Sequence, residues 1–141
     1  MNAYDYINWR GDLTFRQKPF NNIDALICTQ VSYLDWQKIL DDVSSLPLHK
    51  AMKKYLRLHH GEADDNIMIA ERCRILTMAA ESERFRDLKL MYYQRIFNPE
   101  KEEQFQALTI FLPDGTYFVS FEGTDATIVG WKENFNMPFM S

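Results

Sequence analysis

The tripeptide Pro113-Asp114-Gly115 lies between two β-forming segments, residues 104–112 and residues 116–122. Asp-Gly is a strong signal for a β-hairpin because both positions of its tight turn need a positive φ. In the second segment one strand face is predicted to carry Tyr117, Val119 and Phe121, and the other face Phe118 and Ser120. We therefore predict an antiparallel hairpin here.

The chain before the hairpin carries helical patterns over residues 1–86. Asn21 or Asn22 can cap a first helix, because a side-chain oxygen at that position accepts from the free N–H groups of the first turn. The apolar side chains that follow recur at helical spacing, which predicts one buried face: Ile23, Leu26, Ile27, Val31 and Leu34.

Two further helices are predicted in the same part of the chain. One begins near Pro47, a residue tolerated in a first helical turn, and stops at Gly61. Its apolar stripe consists of Leu48, Met52, Tyr55 and Leu56. The other begins at Asp64 and Asp65, whose charges suit a helix N-terminus, and continues to about Ser82.

Residues 87–96 are rich in β-forming side chains and predict a strand before the hairpin. The fold class is therefore α/β, with N-terminal helices followed by a short mixed sheet that contains the hairpin. No repeat or low-complexity linker separates the helical part, residues 1–86, from the strand-rich part, residues 87–141. We predict a single domain over residues 1–141.

Composition excludes several classes of protein. With 46% hydrophobic and 26% charged residues, the chain is typical of a globular domain, and no apolar run approaches the roughly 18 residues of a spanning helix. The first residues carry no secretory signal, so we expect a cytoplasmic protein. A net charge of −4 argues against a nucleic-acid partner. Cys28 and Cys73 form neither a disulfide framework nor a zinc site, and we expect both to be buried.

The most informative chemical motif closes the second arm of the hairpin, at residues 121–125 (Phe-Glu-Gly-Thr-Asp). Glycine lets the backbone turn sharply, so that the following N–H groups and the Thr124 hydroxyl point outward together. Such a cluster can hold an oxyanion during acyl transfer. The alternative is an ordinary turn in which Thr124 or Asp125 caps the segment of residues 128–131.

Several blocks of the sequence resemble a bacterial lipase-like family of uncharacterised proteins, which are similar to α/β-hydrolases of the class 3 lipase kind. The resemblance is carried by residues 9–15 (Trp-Arg-Gly-Asp-Leu-Thr-Phe), 19–24, 121–125 and 129–137. Shorter matches are Ser32-Tyr33-Leu34, Arg84-Phe85 and Gln104-Phe105. The resemblance implies the first part of an α/β-hydrolase fold, with Thr124 at the oxyanion hole and Asp125 beside it. Glu122 stands where that family has arginine, which reverses the charge beside the presumed site.

The sequence lacks the nucleophile that this resemblance requires. None of its six serines lies in a Gly-x-Ser-x-Gly elbow, so an oxyanion hole alone could not carry covalent acyl transfer. We expect the chain to be the N-terminal portion of a hydrolase-like protein, inactive alone, whose complete form acts on an ester or lipid. Aromatic and methionine side chains crowd residues 131–140, which favours pairing with a C-terminal part or self-association. The alternative function is a non-catalytic binding or assembly module that pairs through this apolar end and a sheet edge. We expect no cofactor and no metal.

Four other motifs have an ordinary structural explanation that we prefer. His59-His60 could begin a metal patch, but adjacent helical histidines diverge, so a solvated helix end is expected. Arg10-Gly11-Asp12 is expected to be a structural turn rather than a recognition tripeptide. Met91-Tyr92-Tyr93 could stack a ligand, although a strand packed on helices explains it more simply. The basic residues 50–57 are expected to form a solvated helix face rather than a membrane contact.

Overall fold

The computed structural model describes residues 2–41, 43–59, 67–98, 100 and 103–123. In this part of the chain, four helices and four strands form a mixed α and β architecture, which confirms the predicted class at that level. The helices are α1 (Ala3–Arg10), α2 (Asn22–Ser32), α3 (Leu48–Leu58) and α4 (Ile67–Glu81). The strands are β1 (Ser45–Pro47), β2 (Lys89–Asn98), β3 (Glu103–Phe111) and β4 (Tyr117–Gly123).

The four described strands form one sheet in the order β1-β2-β3-β4, and every neighbouring pair is antiparallel. The predicted mixed sheet is therefore wrong for this part of the chain. The connections from β2 to β3 and from β3 to β4 are too short for the crossover that a parallel pair needs. Strand β1 was not predicted, because a segment of three residues is too short to show a period.

Helix α2 begins with the predicted asparagine cap. The Asn21 Oδ1 accepts hydrogen bonds from the backbone N–H groups of Ile23 and Asp24, at 2.9 and 3.2 Å. The Asp24 carboxylate accepts the Asn21 N–H in return, at 2.9 Å, which completes a capping box. Leu26 is 60% exposed, so its predicted place on the buried face is wrong. The polar Asp24 and the small Cys28 lie on the buried face of α2, whereas Leu26 lies outside that face.

Helices α3 and α4 follow the predicted patterns. Pro47 is the N-cap of α3, and the helix buries Leu48, Ala51, Met52 and Tyr55. Leu56, predicted in the same stripe, is 39% exposed. Helix α4 buries Cys73, Leu76, Ala79 and Ala80, and it ends one residue before the predicted Ser82. Its predicted start at Asp64 and Asp65 lies outside the described residues, as does Gly61.

The predicted hairpin is confirmed, but its turn geometry differs from the expectation. In the described residues, Gly115 has a positive φ of 93° and Asp114 does not. Pro113 has no N–H, so it cannot form the hydrogen-bonded pair with Thr116 that would close a two-residue loop around Asp114 and Gly115. The Gly115 N–H donates to the Leu112 carbonyl at 3.0 Å, and the Leu112 N–H donates to the Thr116 carbonyl at 2.8 Å. This is a three-residue loop closed by a left-handed glycine.

Side chains on both faces of the sheet are buried. On the helix-facing side, Leu108 and Ile110 join the main core, and Phe118 packs against it. On the other side, Phe105 is fully buried and Ala107 nearly so, although neither belongs to that core cluster. The register places Tyr117, Val119 and Phe121 on this second side, opposite Phe111, Thr109 and Ala107, which confirms their predicted common face.

Cys28 and Cys73 are both buried free thiols, as predicted. Burial, followed by the charge of Asp24, raises the pKa of the Cys28 thiol to about 12. Among the described helices, none combines the length and the apolar character that crossing a membrane requires.

Candidate functional site

Arg84 is the centre of a buried polar cluster in the described part of the chain. Its guanidinium is fully buried against Asp24, and it also donates to the carbonyl oxygens of Leu13, Thr14, Lys18 and Pro19 at 3.0–3.3 Å. The Phe15 ring lies 4.1 Å from the guanidinium carbon. Burial lowers the pKa of Arg84, but the hydrogen bonds and charge of Asp24 outweigh it and raise the pKa overall. The segment between α1 and α2 is thereby fixed on α2.

Several of the sequence blocks that carry the family resemblance contact one another in this cluster. Residues 9–15, residues 19–24 and Arg84-Phe85 are distant in sequence, yet they meet around one guanidinium. The Arg84 side chain is inaccessible to solvent, and its hydrogen bonds are accepted by Asp24 and four backbone carbonyl oxygens. These blocks therefore form part of the buried interior of the fold rather than a binding surface.

A second set of contacts ties the C-terminal end of α2 to the strands that lead to the candidate turn. The Gln106 side-chain amide donates to the carbonyl oxygens of Ser32 and Leu34, at 2.6 and 3.1 Å. The Ser120 hydroxyl donates to the Ser32 hydroxyl at 2.8 Å. Strands β3 and β4 are thus held against α2 within a few residues of Gly123.

Strand β4 ends at Gly123, immediately before the candidate oxyanion residues. Gly123 pairs with Phe105, and a Cβ atom added at Gly123 would lie 2.5 Å from the Gln104 carbonyl oxygen. Only glycine fits such an approach without a shift of the backbone. Glu122 is exposed and pairs with Gln106 in the register. The candidate residues Thr124 and Asp125 lie outside the described residues, as does the apolar segment of residues 131–140.

A second candidate site lies beside an irregularity in β2. The register between β2 and β3 shifts between Met91 and Gln94, and Tyr92 has a φ of 52° with 75% of its surface exposed. A positive φ is rare for a bulky residue and costs energy, so the surrounding structure must hold it. The other tyrosine of the bulge, Tyr93, packs against the core. The predicted strand is thus confirmed, but only one of its two tyrosines packs on the helices.

A cavity of about 380 Å³ opens beside this bulge. It is lined by Gln37, Leu40, Asp41, Val43 and Ser44 from one segment, and by Tyr92, Tyr93 and Arg95 from β2. Arg95 forms a half-exposed ion pair with Asp35. In the described part of the chain, the Tyr93 hydroxyl is buried without a hydrogen-bond partner. Burial and then the nearby Asp35 charge raise the pKa of Tyr93, and Arg95 opposes this shift.

The remaining motifs take ordinary structural positions. His59 follows the end of α3 and stacks on Tyr55 at 4.3 Å between ring centroids, whereas His60 lies outside the described residues. Gly11 ends α1 and its carbonyl accepts the Arg84 N–H at 2.8 Å. Lys50, Lys53 and Arg57 are exposed on α3. No group of three or more His, Cys, Asp or Glu side chains within the described ranges is arranged to hold a metal ion.

Comparison with known proteins gives one family match. A family model described as Mbeg1-like matches residues 79–141, slightly less than half of the chain. The matched region begins in the last turns of α4 and includes β2, β3, β4 and residues 124–141. It therefore contains both C-terminal blocks of the resemblance, residues 121–125 and 129–137. No curated protein and no solved structure gives a significant match.

The sequence predicts the candidate turn at residues 121–125, which no observation tests, and it did not predict the cavity beside the β2 bulge. Tyr92 and Tyr93 were recognisable as a ring-rich pair, yet nothing in the pattern marked the bulge between them. A bulge depends on the strand that pairs with it, and a single sequence does not show that register. The ion-pair partner of Arg95 is Asp35, and one wall of the cavity comes from residues 37–44. This segment of the sequence shows no regular period.

Proposed function

We propose that this chain supplies the oxyanion-hole turn of an α/β-hydrolase-like protein of the serine esterase or lipase class. In this proposal the Thr124 hydroxyl, together with the N–H groups that follow Gly123, donates hydrogen bonds to the oxyanion that forms when an ester carbonyl is attacked. Asp125 lies beside it. The substrate class is an ester or a lipid. Donors aimed at the developing negative charge stabilise such a transition state strongly, because they need no rearrangement during the reaction.

The observation that carries this proposal is the position of Gly123. Strand β4 stays paired as far as this residue, and the Gln104 carbonyl leaves no room for a side chain there. A glycine that is required by a close backbone approach, followed at once by Thr124, gives the strand end that an oxyanion turn needs.

Two further findings support the proposal. The sheet is buried on both faces at Phe105 and at Leu108, as expected when layers cover a sheet on both sides. The family model matches the region that contains residues 121–125 and 129–137, two of the blocks that carry the resemblance to lipase-like proteins. Neither finding identifies the substrate.

In this proposal the attacking group is not among residues 1–141. The 141 residues contain no Gly-x-Ser-x-Gly elbow, and a hydroxyl nucleophile needs an adjacent general base to act. We therefore expect no ester hydrolysis by residues 1–141 alone. The polypeptide that carries the serine, its histidine and an acid would supply the nucleophile, and this chain would stabilise the charge.

The experiment is to express the complete coding region of the gene and to measure hydrolysis of p-nitrophenyl esters with short and long acyl chains. A fluorophosphonate probe, which reacts with activated serines, is applied to the same protein. We expect ester turnover and labelling of one serine in the complete product, and neither in residues 1–141. A complete product without an activated serine, or without turnover on any acyl length, would contradict the proposal.

The alternative is a non-catalytic assembly module. In this alternative the apolar end and a sheet edge pair with another chain, as exposed strand edges do in other assemblies. Sedimentation of residues 1–141 over a range of concentrations separates the two functions. Reversible self-association without esterase activity in the complete product would favour the assembly module, and a monomer at every concentration would exclude it.

A further inference from the structure

We infer that the cavity beside the β2 bulge binds a neutral, polyhydroxylated ring, such as a monosaccharide or a sugar unit of a glycan. The eight lining residues named above all lie within the described part of the chain. The inference does not depend on the candidate turn at residues 121–125 or on esterase activity. It rests on the strain at Tyr92, the polar groups of the cavity wall and the balance of charges.

The first step is the strain at Tyr92. A tyrosine at a φ of 52° is less favourable than glycine or asparagine at the same position. Tyr92 is 75% exposed, so packing of its side chain does not offset the conformational energy of this positive φ. Strained residues at bulges cluster at binding and catalytic sites, where the strain aims a side chain. The bulge places the two adjacent residues, Tyr92 and Tyr93, at the wall of one cavity.

The second step is the polar lining. Within the described residues, no side-chain hydrogen bond or ion pair occupies the Gln37 amide, the Asp41 carboxylate or the Ser44 hydroxyl. Together they offer both donors and acceptors to a ligand. Hydroxyl groups of a sugar also donate and accept, so they match this mixed set, whereas a simple cation would leave the donors unmatched. Leu40, Val43 and the tyrosines supply apolar surface for the C–H faces of a ring.

The third step is charge. Among the described residues of the wall, Arg95 is paired with Asp35, and Asp41 is the other charged group. An anion would meet the Asp41 carboxylate without a free cation to balance it. The cavity volume of about 380 Å³ falls at the small end of the range for ligand sites, which suits one ring. Binding of one ring in an open cavity is expected with a Kd on the order of 1 mM.

The test uses ¹⁵N-labelled residues 1–141 and four probes, titrated separately. They are glucose, methyl α-glucopyranoside, tetramethylammonium and inorganic phosphate. We expect saturable amide shifts at Tyr92, Tyr93 and Arg95 with at least one of the two sugars. Tighter binding of tetramethylammonium or phosphate than of either sugar, or no sugar shifts at these amides, would overturn the inference. A preference for the methyl glycoside would indicate a chain-linked sugar, and a preference for the free sugar would indicate a small metabolite; both support the inference.

The matched variants are Tyr92→Asn and Tyr117→Ala. Asparagine tolerates a positive φ, so Tyr92→Asn removes the ring without adding backbone strain, and its thermal midpoint should equal or exceed that of the wild type. We expect its Kd for the sugar to rise about tenfold or more. Tyr117→Ala removes another exposed tyrosine of the sheet and should leave the Kd unchanged. A folded Tyr92→Asn protein with wild-type affinity would overturn the inference.

Discussion

The Arg84 guanidinium donates to both carboxylate oxygens of Asp24, from Nε at 2.9 Å and from Nη2 at 2.6 Å, and both side chains are completely buried. This pair joins the start of α2 to the segment after α4. Through the other donors of Arg84, it also fixes the backbone that follows α1. A buried ion pair of this kind makes the position of one element depend on that of another.

The substitution Asp24→Asn should destabilise the protein by about 3–5 kcal/mol, because it leaves the Arg84 charge buried without its counter-ion. Urea denaturation measures the change in the free energy of unfolding. The control is Glu71→Gln, which breaks an exposed ion pair with Arg74 and should cost about 1 kcal/mol or less. Similar losses for the two variants would contradict the central role of the Asp24–Arg84 pair.

Gly123→Ala tests the close approach at the end of β4. The added Cβ would lie 2.5 Å from the Gln104 carbonyl oxygen, so we expect a loss of about 1–3 kcal/mol in the free energy of unfolding. Gly115→Ala is the comparison, since its Cβ meets nothing within 4 Å and only the φ of 93° is unfavourable. Its expected cost is about 1 kcal/mol. A neutral Gly123→Ala would show that β4 has room for a side chain there.

Phe105→Ala tests the burial of the second sheet face. Phe105 is completely buried on the side away from the helices, so its truncation should cost about 3–5 kcal/mol. Tyr117 lies on the same face, is 62% exposed and contacts the Phe111 ring across the strands, so Tyr117→Ala should cost about 1 kcal/mol or less. Thermal and urea unfolding measure both variants. A small loss for Phe105→Ala would mean that this face is not packed in solution.

The raised pKa of the Cys28 thiol predicts how the free energy of unfolding depends on pH. Its pKa is raised from 9.0 to about 12 in the folded protein, chiefly by burial, so the folded state resists ionisation. The stabilising contribution is fully present below pH 9 and is lost as the pH rises from 9 towards 12. Cys28→Ala should therefore show a smaller loss of stability than the wild type between pH 8 and pH 10. Rapid alkylation of Cys28 in the native protein at pH 8 would contradict its burial.

Local patterns in the sequence predicted much of this fold. The cap at Asn21, the start of α3 at Pro47 and the hairpin around Gly115 depend on neighbouring residues, and all three are confirmed. The antiparallel order of the sheet, the short β1 and the exposure of Leu26 depend on which distant segments pack together. No single-sequence period reports such contacts, which is why these features were missed or predicted wrongly.

The same distinction applies to the candidate sites. Residues 121–125 were predicted from their order alone, and the structure adds the reason for glycine at position 123. The cavity beside Tyr92 combines residues from positions 37–44 with a bulge in β2. Because the bulge arises from strand pairing, its strain could be recognised only once the register was known.

The measurement that tests the central claim most directly is the kcat for ester hydrolysis of the complete gene product carrying Thr124→Ala. Loss of an oxyanion donor should lower kcat by about 10²-fold with little change in KM, and Thr124→Ser should restore most of the rate. Thr116→Ala, which removes a hairpin hydroxyl bonded to Asp114, should leave kcat unchanged. A Thr124→Ala enzyme with wild-type kcat, or one affected no more than Thr116→Ala, would contradict the assignment of the oxyanion turn.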